Sequence, residues 1–251
     1  MQPWRLILDP ALPGPWNMAI DLALLEAYRA GEARPTLRLY DWVRPTLSLG
    51  YAQRADEVDF SACSARGIDL VRRPTGGRAV LHGAGDLTYA VVASGAEGFP
   101  DNVTGSYAMI AQALVVGLQS LGLTLQVAPG ERSSGTTSAC FGSATRADLM
   151  AAGRKLVGSA QLRREGGFVQ HGALMITQEP RAIVEFLLAR QAPKGMTNLA
   201  SELGRVPEGQ EVRAAVIRGF EAAFGIRFEV GELSQEERAL AEGLVAQMRL
   251  E

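Results

Sequence analysis

Three places in the chain carry side chains able to do chemistry. The first is the run "RRPTGGRAVLH", residues 72–82, in which Arg72, Arg73 and Arg78 surround Gly76-Gly77 and His82 closes the segment. Adjacent glycines let backbone approach a ligand closely or take positive φ. Guanidinium groups offer planar donors to carboxylate, phosphate or carbonyl oxygens. The segment is not a Walker loop, because GxxxxGK[ST] is absent, nor a dinucleotide fingerprint, because GxGxxG is absent. A tight turn with a solvated basic face is the plain alternative.

The second place is Cys140, in "TTSACFG", just beyond the polar run "PGERSSGTTS" at 129–138. Core cysteines more often sit in apolar runs, so this setting suggests access. A thiol near its ordinary pKa of ~8.5 is a weak nucleophile until a cation lowers that value or a base takes the proton. Lys155, at the start of the next strand in "GRKLVGSAQ", is the nearest such group in sequence. The third place is the pair of rival bases: the chain has two histidines, His82 and His171, the latter mid-strand in "FVQHGAL". Each also reads as a hydrogen-bonded packing residue. Two histidines without a carboxylate cluster fall short of a metal ligand set, and no CxxC spacing suggests zinc. Cys63, in "FSACSARG", reads as a small packed residue on an amphipathic helix. A Ser-His-Asp hydrolase has no GxSxG elbow here.

These side chains need strands and helices to hold them. "WRLILD" reads as a strand, and "NMAIDLALLEAYRAGEA" as an amphipathic helix with Asn17 as cap and Gly31 as stop. "TLRLYDW" and "TLSLGYA" are short strands, 56–66 a helix, and "IDLVRR" a strand that ends at the glycine loop. "DLTYAVVAS" is a strand, followed by a long helix closed at Gly122 and the strand "LTLQVA". A strand to about Ala151, a turn at Gly153, a strand over 155–163, a second turn at Glu165-Gly166-Gly167 and a strand over 168–176 then make a hairpin series. After Pro180 the pattern predicts helices over 181–190, 209–224 and 234–250. Hairpins with helices between and after them predict an α+β fold with a mixed, largely antiparallel sheet and surrounding helices. One domain over 1–251 is expected, with a core of about 1–200 and a helical C-terminal extension over 201–251.

Composition excludes several classes. The 251 residues are 47% apolar and 21% charged, with two cysteines and a net charge of −2, the profile of a globular domain that needs no disulfide framework. Bulk charge gives no reason to expect nucleic acid or an anionic membrane as partner. No window approaches 18 uninterrupted apolar residues, so no transmembrane helix is expected. "MQPWRLILDPALPGPWNM" does not read as a secretory signal, which makes the cytoplasm the expected compartment.

The motifs also resemble a known family. "RRPTGGRAVLH" followed by "DLTYAVV" looks like the central loop of the biotin/lipoate ligase and acyltransferase family. "GRKLVGSAQLRREGGFVQHGAL" is similar to its second signature, a Lys-x-x-Gly-Ser-Ala run leading into a Gln-His-Gly strand. "WNMAIDLALLEA" resembles its first helix, and "SACF" matches the octanoyltransferase branch. The resemblance spans roughly residues 4–200. It implies a biotin/lipoate ligase catalytic-domain-like fold. It also implies transfer of an octanoyl group from octanoyl-acyl carrier protein, without a cofactor, to a lysine of a lipoyl-carrier domain such as glycine cleavage H protein or an E2 lipoyl domain. Carried over residue by residue, Cys140 matches the nucleophile that takes the acyl group as a thioester, and Lys155 the active-site lysine. Arg73, Thr75, Gly76, Gly77, Arg78 and His82 fall on the substrate loop, and Gly158, Ser159, Ala160 and His171 on the second signature. Val80 and its neighbours Ala79 and Leu81 are expected to line an apolar slot for the acyl tail. The chain departs from the pattern in one respect: an acid often follows the histidine in the transferases, whereas here Gly83 follows and the next acid is Asp86. Two alternatives remain. An ATP-dependent lipoate–protein ligase would not need Cys140, and a non-catalytic acyl- or biotin-binding module would retain ligand without turnover.

Overall fold

A computed structural model describes residues 3–128, 148–193 and 195–250. Short stretches rich in Leu, Val and Tyr become strands: β1 (Trp4–Leu8), β2 (Thr36–Tyr40), β3 (Thr46–Leu49), β4 (Asp69–Arg72), β5 (Val80–His82) and β6 (Asp86–Ala93), as expected for residues that suit a pleated, half-buried surface. Further along come β7 (Leu125–Val127), β8 (Leu149–Ala151), β9 (Arg154–Arg164), β10 (Gly167–Met175) and β11 (Phe228–Gly231). Segments with helical apolar spacing become α1 (Gly14–Arg29), α2 (Phe60–Ala65), α3 (Val103–Gln119), α4 (Leu199–Leu203), α5 (Gly209–Phe224) and α6 (Gln235–Met248).

An eight-stranded mixed sheet runs β11-β1-β2-β6-β10-β9-β8-β7, and a three-stranded sheet runs β4-β3-β5. In the large sheet β1 lies parallel to β2 and β11, and the other pairings are antiparallel. Both faces are covered. Leu37, Tyr89, Val91 and Phe168 pack on one side with Ile110 and Leu114 of α3 and Val216 and Phe220 of α5. Ile7, Tyr40, Ala90 and Val169 pack on the other with Met18, Leu22 and Leu25 of α1 and Ala241 of α6. The small sheet packs with Cys63 of α2, Ile183 and Phe186 in a third cluster. This is the α+β arrangement expected from the hairpins.

Three local expectations are corrected. Helix α1 starts at Gly14 with Pro13 in the cap position, because a proline near the helix start has its φ already set and no N–H to satisfy. Asn17 is therefore a buried residue inside the helix. Its Nδ2 donates to the carbonyls of Leu12 (3.3 Å) and Asp41 (3.0 Å), and its Oδ1 accepts from Arg38 (2.8 Å). Residues 181–190 do not form an α-helix: a single 3-10 turn, Ala182–Phe186, is all that winds. The flanking backbone is engaged across to residues 57–59 instead, by Asp59 N–H to the Phe186 carbonyl and Leu188 N–H to the Glu57 carbonyl, both 3.0 Å. Finally, the C-terminal segment holds a strand as well as helices, since β11 pairs with β1.

Candidate active site

Strand β4 delivers its last residue and the one after it in opposite directions, and each guanidinium binds backbone carbonyls. Arg72 Nη1 donates to the carbonyls of Gly50 (2.9 Å), Tyr51 (3.0 Å) and Gln53 (2.8 Å). Arg73, only 4% exposed, donates to the carbonyls of Gly76 (2.8 Å), Arg78 (2.7 Å) and Ser48 (2.8 Å). Arg73 thus clamps the glycine loop from within, while Arg72 ties β4 to residues 50–53. Gly77 takes φ +92°, and a Cβ on Gly50 would fall 2.0 Å from the Gly77 carbonyl oxygen, so the two segments touch backbone to backbone. Arg78 reaches outward to Glu57 at 3.1 Å. Gly76 faces open space, with nothing within 4 Å of where a Cβ would stand.

Behind this loop lies a pocket lined by Met18, Tyr40, Trp42 and Val80 together with Ser48, Arg73, His82, Thr88, Gly158, Ser159, Ala160, His171, Gly172 and Ala173. It gathers six of the residues carried over from the family motifs: Arg73, His82, Gly158, Ser159, Ala160 and His171. Of Ala79, Val80 and Leu81, Val80 alone lines the pocket, because strand alternation sends the other two to the cluster around Leu47 and Phe186,. Gly172 is needed for close packing, since a Cβ there would meet Ser159 Oγ at 2.5 Å and Tyr89 Cε1 at 2.6 Å. Thr75 is buried, with Oγ1 2.6 Å from His171 Nε2.

Both histidines are bound in the same way. His82 Nδ1 lies 3.0 Å from Asp86 Oδ2, and its Nε2 lies 2.9 Å from Ser48 Oγ. Its ring stacks on Trp42 with centroids 4.1 Å apart and planes 17° from parallel. The next acid in the chain, Asp86, is thus the carboxylate partner of His82. His171 Nδ1 lies 2.8 Å from Asp21 Oδ2 on α1. The two carboxylates differ. Burial pushes the Asp21 carboxyl up, but the His171 hydrogen bond and the Arg38 charge outweigh it and hold it below the ordinary range. Asp86 lies above that range because burial dominates. Burial likewise holds the His82 imidazole below its ordinary value, against the pull of Asp86.

Lys155 is buried and pairs with Asp148 at 2.7 Å. The register between β8 and β9 explains where it points. Leu149 stands opposite Val157 but Met150 stands opposite Lys155, so Leu156 is an extra residue on β9. Such a bulge re-aims the side chains beyond it. Lys155 shares the face of Met150, away from the α3/α5 core that holds Leu149 and Val157. Its backbone is tied on the outer side by Lys155 N–H to the Gly195 carbonyl (2.7 Å) and Thr197 N–H to the Lys155 carbonyl (3.0 Å). Cys140 lies outside the described residues.

Asp21, Asp148, Ser48 and Trp42 are site residues that pattern reasoning did not single out. For Asp21 a signal existed: it is a lone acid within the apolar run "MAIDLALL", and a buried charge needs a partner. Asp148 carried no comparable signal.

The site therefore sits on an open mixed sheet covered on both faces, in a pocket between the glycine-rich loop and the Gly-Ser-Ala strand. The chain belongs to the lipoyl protein ligase A/B catalytic domain family, whose model matches residues 13–221. It is 43% identical to an octanoyltransferase LipM from Kyrpidia tusciae, over 98% of this chain and 96% of that protein. It is 38% identical to an octanoyltransferase LipM from Carboxydothermus hydrogenoformans, over 98% of this chain and 95% of that protein. Among solved structures, a lipoate-protein ligase A bound with ATP superposes with a TM-score of 0.84 at 30% identity, covering 98% of this chain and 95% of that one. A chain from the lipoylation system of Thermoplasma acidophilum, a bi-partite lipoate protein ligase and its E2 lipoyl domain, has a TM-score of 0.82 at 27% identity, with 98% and 93% coverage.

Proposed function

We propose that this protein is an octanoyltransferase. It moves an octanoyl group from octanoyl-acyl carrier protein, through a thioester on Cys140, to a lysine of a lipoyl-carrier domain such as glycine cleavage H protein or an E2 lipoyl domain. The observation that carries the reading is the 43% identity over nearly the full length to an octanoyltransferase. The pocket geometry supports it. Sulfur attack on the donor's thioester carbonyl makes one C–S bond and breaks another, so the exchange is close to isoenergetic and needs no nucleotide. Attack by the acceptor amine then forms an amide and releases the Cys140 sulfur. Lys155, which lies 2.7 Å from Asp148, favours the Cys140 thiolate as an ammonium and takes the proton of the incoming nucleophile as an amine. Arg73 and His82, with Gly158, Ser159, Ala160 and His171 across the pocket, bind the acyl group; Thr75, Gly76, Gly77 and Arg78 shape the loop beside them, and backbone N–H groups of the glycine-rich segments stabilise the oxyanion. No helix among the described residues is long and apolar enough to cross a membrane, and we assign the protein to the cytoplasm.

The test is intact-protein mass spectrometry after mixing with octanoyl-acyl carrier protein in the absence of ATP. A hydroxylamine-labile octanoyl increment is expected on the wild type and not on Cys140→Ala. No adduct, together with ATP-dependent modification of a lipoyl domain by free acid, would instead make the protein a ligase.

A further inference from the structure

We propose that Asp21 is a positioning residue of the site: through His171 and Thr75 it pins the Gly76-Gly77 loop to the pocket wall. This rests on the acyl-transfer reading above for the ligand that the pocket takes, and adds to it the residue that fixes the shape of the wall.

The pin joins elements far apart in sequence. Asp21 stands on α1, Arg38 and Tyr40 on β2, His171 on β10, and Thr75 on the loop after β4. Asp21, Arg38, Tyr40 and Thr75 are 0% exposed and His171 is 5% exposed. His171 Nδ1 lies 2.8 Å from Asp21 Oδ2, and its Nε2 lies 2.6 Å from Thr75 Oγ1. Burial pushes the Asp21 carboxyl up, but the His171 hydrogen bond and the Arg38 charge outweigh it. A carboxylate has no proton to give, so the proton between the pair is carried by Nδ1. The bond to Thr75 then stands in either form of the ring. A neutral imidazole accepts the hydroxyl proton at Nε2, and an imidazolium donates from it.

The acid end of the pin is fixed. Asp21 Oδ1 accepts from Arg38 Nη1 (2.8 Å), and Oδ2 accepts from Tyr40 Oη (2.8 Å) as well as from His171. Arg38 in turn donates to Asp9 Oδ2 (2.6 Å) and Asn17 Oδ1 (2.8 Å). These bonds set the position of the carboxylate and so the direction in which the imidazole ring must lie. The loop end needs that anchor. Adjacent glycines have the widest backbone freedom of any residues, and Gly76 has nothing within 4 Å of where a Cβ would stand. Thr75, directly before them, is gripped twice: by its hydroxyl to His171, and by its carbonyl, which accepts from the Tyr51 N–H at 2.8 Å. His171 and Arg73 border the pocket on either side of it, so a displaced Thr75 alters the wall against which the acyl group lies.

The experiment follows two readouts on the full chain: hydrogen exchange of the Tyr51 amide by NMR, and octanoate binding by calorimetry. Thr75→Val removes the hydroxyl and keeps the branched shape. Its Tyr51 amide should exchange about tenfold faster and its octanoate affinity should fall by a similar factor, on the order of one buried hydrogen bond. Amides of α3 should keep their wild-type rates. Thr75→Ser, which restores the hydroxyl, should return both readouts to wild type. Asp21→Asn should reproduce the Thr75→Val effect, and adding Thr75→Val to it should change little more, as expected when two residues act along one path. Should Asp21→Asn not fold, His171→Gln takes its place in that cycle, read by exchange alone. Wild-type exchange in Thr75→Val, failure of Thr75→Ser to rescue, or additive effects in the cycle would each overturn the pin. Octanoate that does not bind wild type would count against the acyl-transfer reading, and Tyr51 exchange would still decide the pin.

Discussion

Burial decides which side chains in this protein are reactive. Cys63 is 1% exposed, and burial together with the Asp59 carboxylate pushes its thiol up to about 11. Only the thiolate attacks an alkylating agent, so its reactive fraction is small at neutral pH and grows about tenfold per pH unit up to that value. Iodoacetamide on the native protein at pH 7.5 should leave Cys63 unmodified by peptide mass mapping, and denaturant should expose it. Alkylation of native Cys63 on the same timescale as a free thiol would contradict the packing of α2. The same physics separates the two histidine dyads. Their side chains match in partner type, but Asp21 also accepts from Arg38 and Tyr40, whereas among the described residues Asp86 meets His82 and the Gly83 N–H. His82 and His171 were legible as candidates from their scarcity and their motifs. Their acids were legible only in part, because the distance between Asp21 and His171 in sequence spans most of the chain and no local pattern joins them.

At the scale of elements, β1 and α6 are joined by a buried ion pair. Arg5 on β1 donates to both carboxylate oxygens of Glu237 on α6, at 2.8 and 2.5 Å, and also to Thr36 Oγ1 at 3.1 Å. Glu237 also closes the capping box of α6 with Ser234. Removing one member of a buried pair leaves the other charge uncompensated, at a cost of about 3–5 kcal/mol. Glu237→Ala should therefore lower the urea midpoint by an amount equivalent to that figure, and a shift under about 1 kcal/mol would show that the pair is solvated in solution. Helical and strand periods made most of these elements legible. The 181–190 segment was misread because its apolar residues, Ile183 and Phe186, serve a contact with α2 and the small sheet rather than a helix face. Strand β11 went unread because four residues with two exposed positions leave hardly any alternation to detect.

For the whole molecule, the C-terminal residues are built into the layers. Strand β11 extends the large sheet beside β1, α5 shares a core with α3, and α6 lies against α1. Elements that share one core are expected to unfold together. We therefore expect one calorimetric transition for residues 1–251, with calorimetric and van't Hoff enthalpies in agreement. Two resolved transitions would instead define residues beyond about 200 as a separate unit.

The amino-acid sequence by itself determined the class of fold, the order of the main strands and helices, and the two motifs that meet at the pocket. Local periodicity and turn residues encode these over a few residues at a time. The tertiary structure decided what each charged group does. It turned Arg72 and Arg73 onto backbone carbonyls, brought Asp21 to His171, and set Lys155 against Asp148 beside the extra residue Leu156. Those outcomes depend on strand register and on contacts between residues far apart in sequence, where a one-residue shift reverses the face on which a side chain stands.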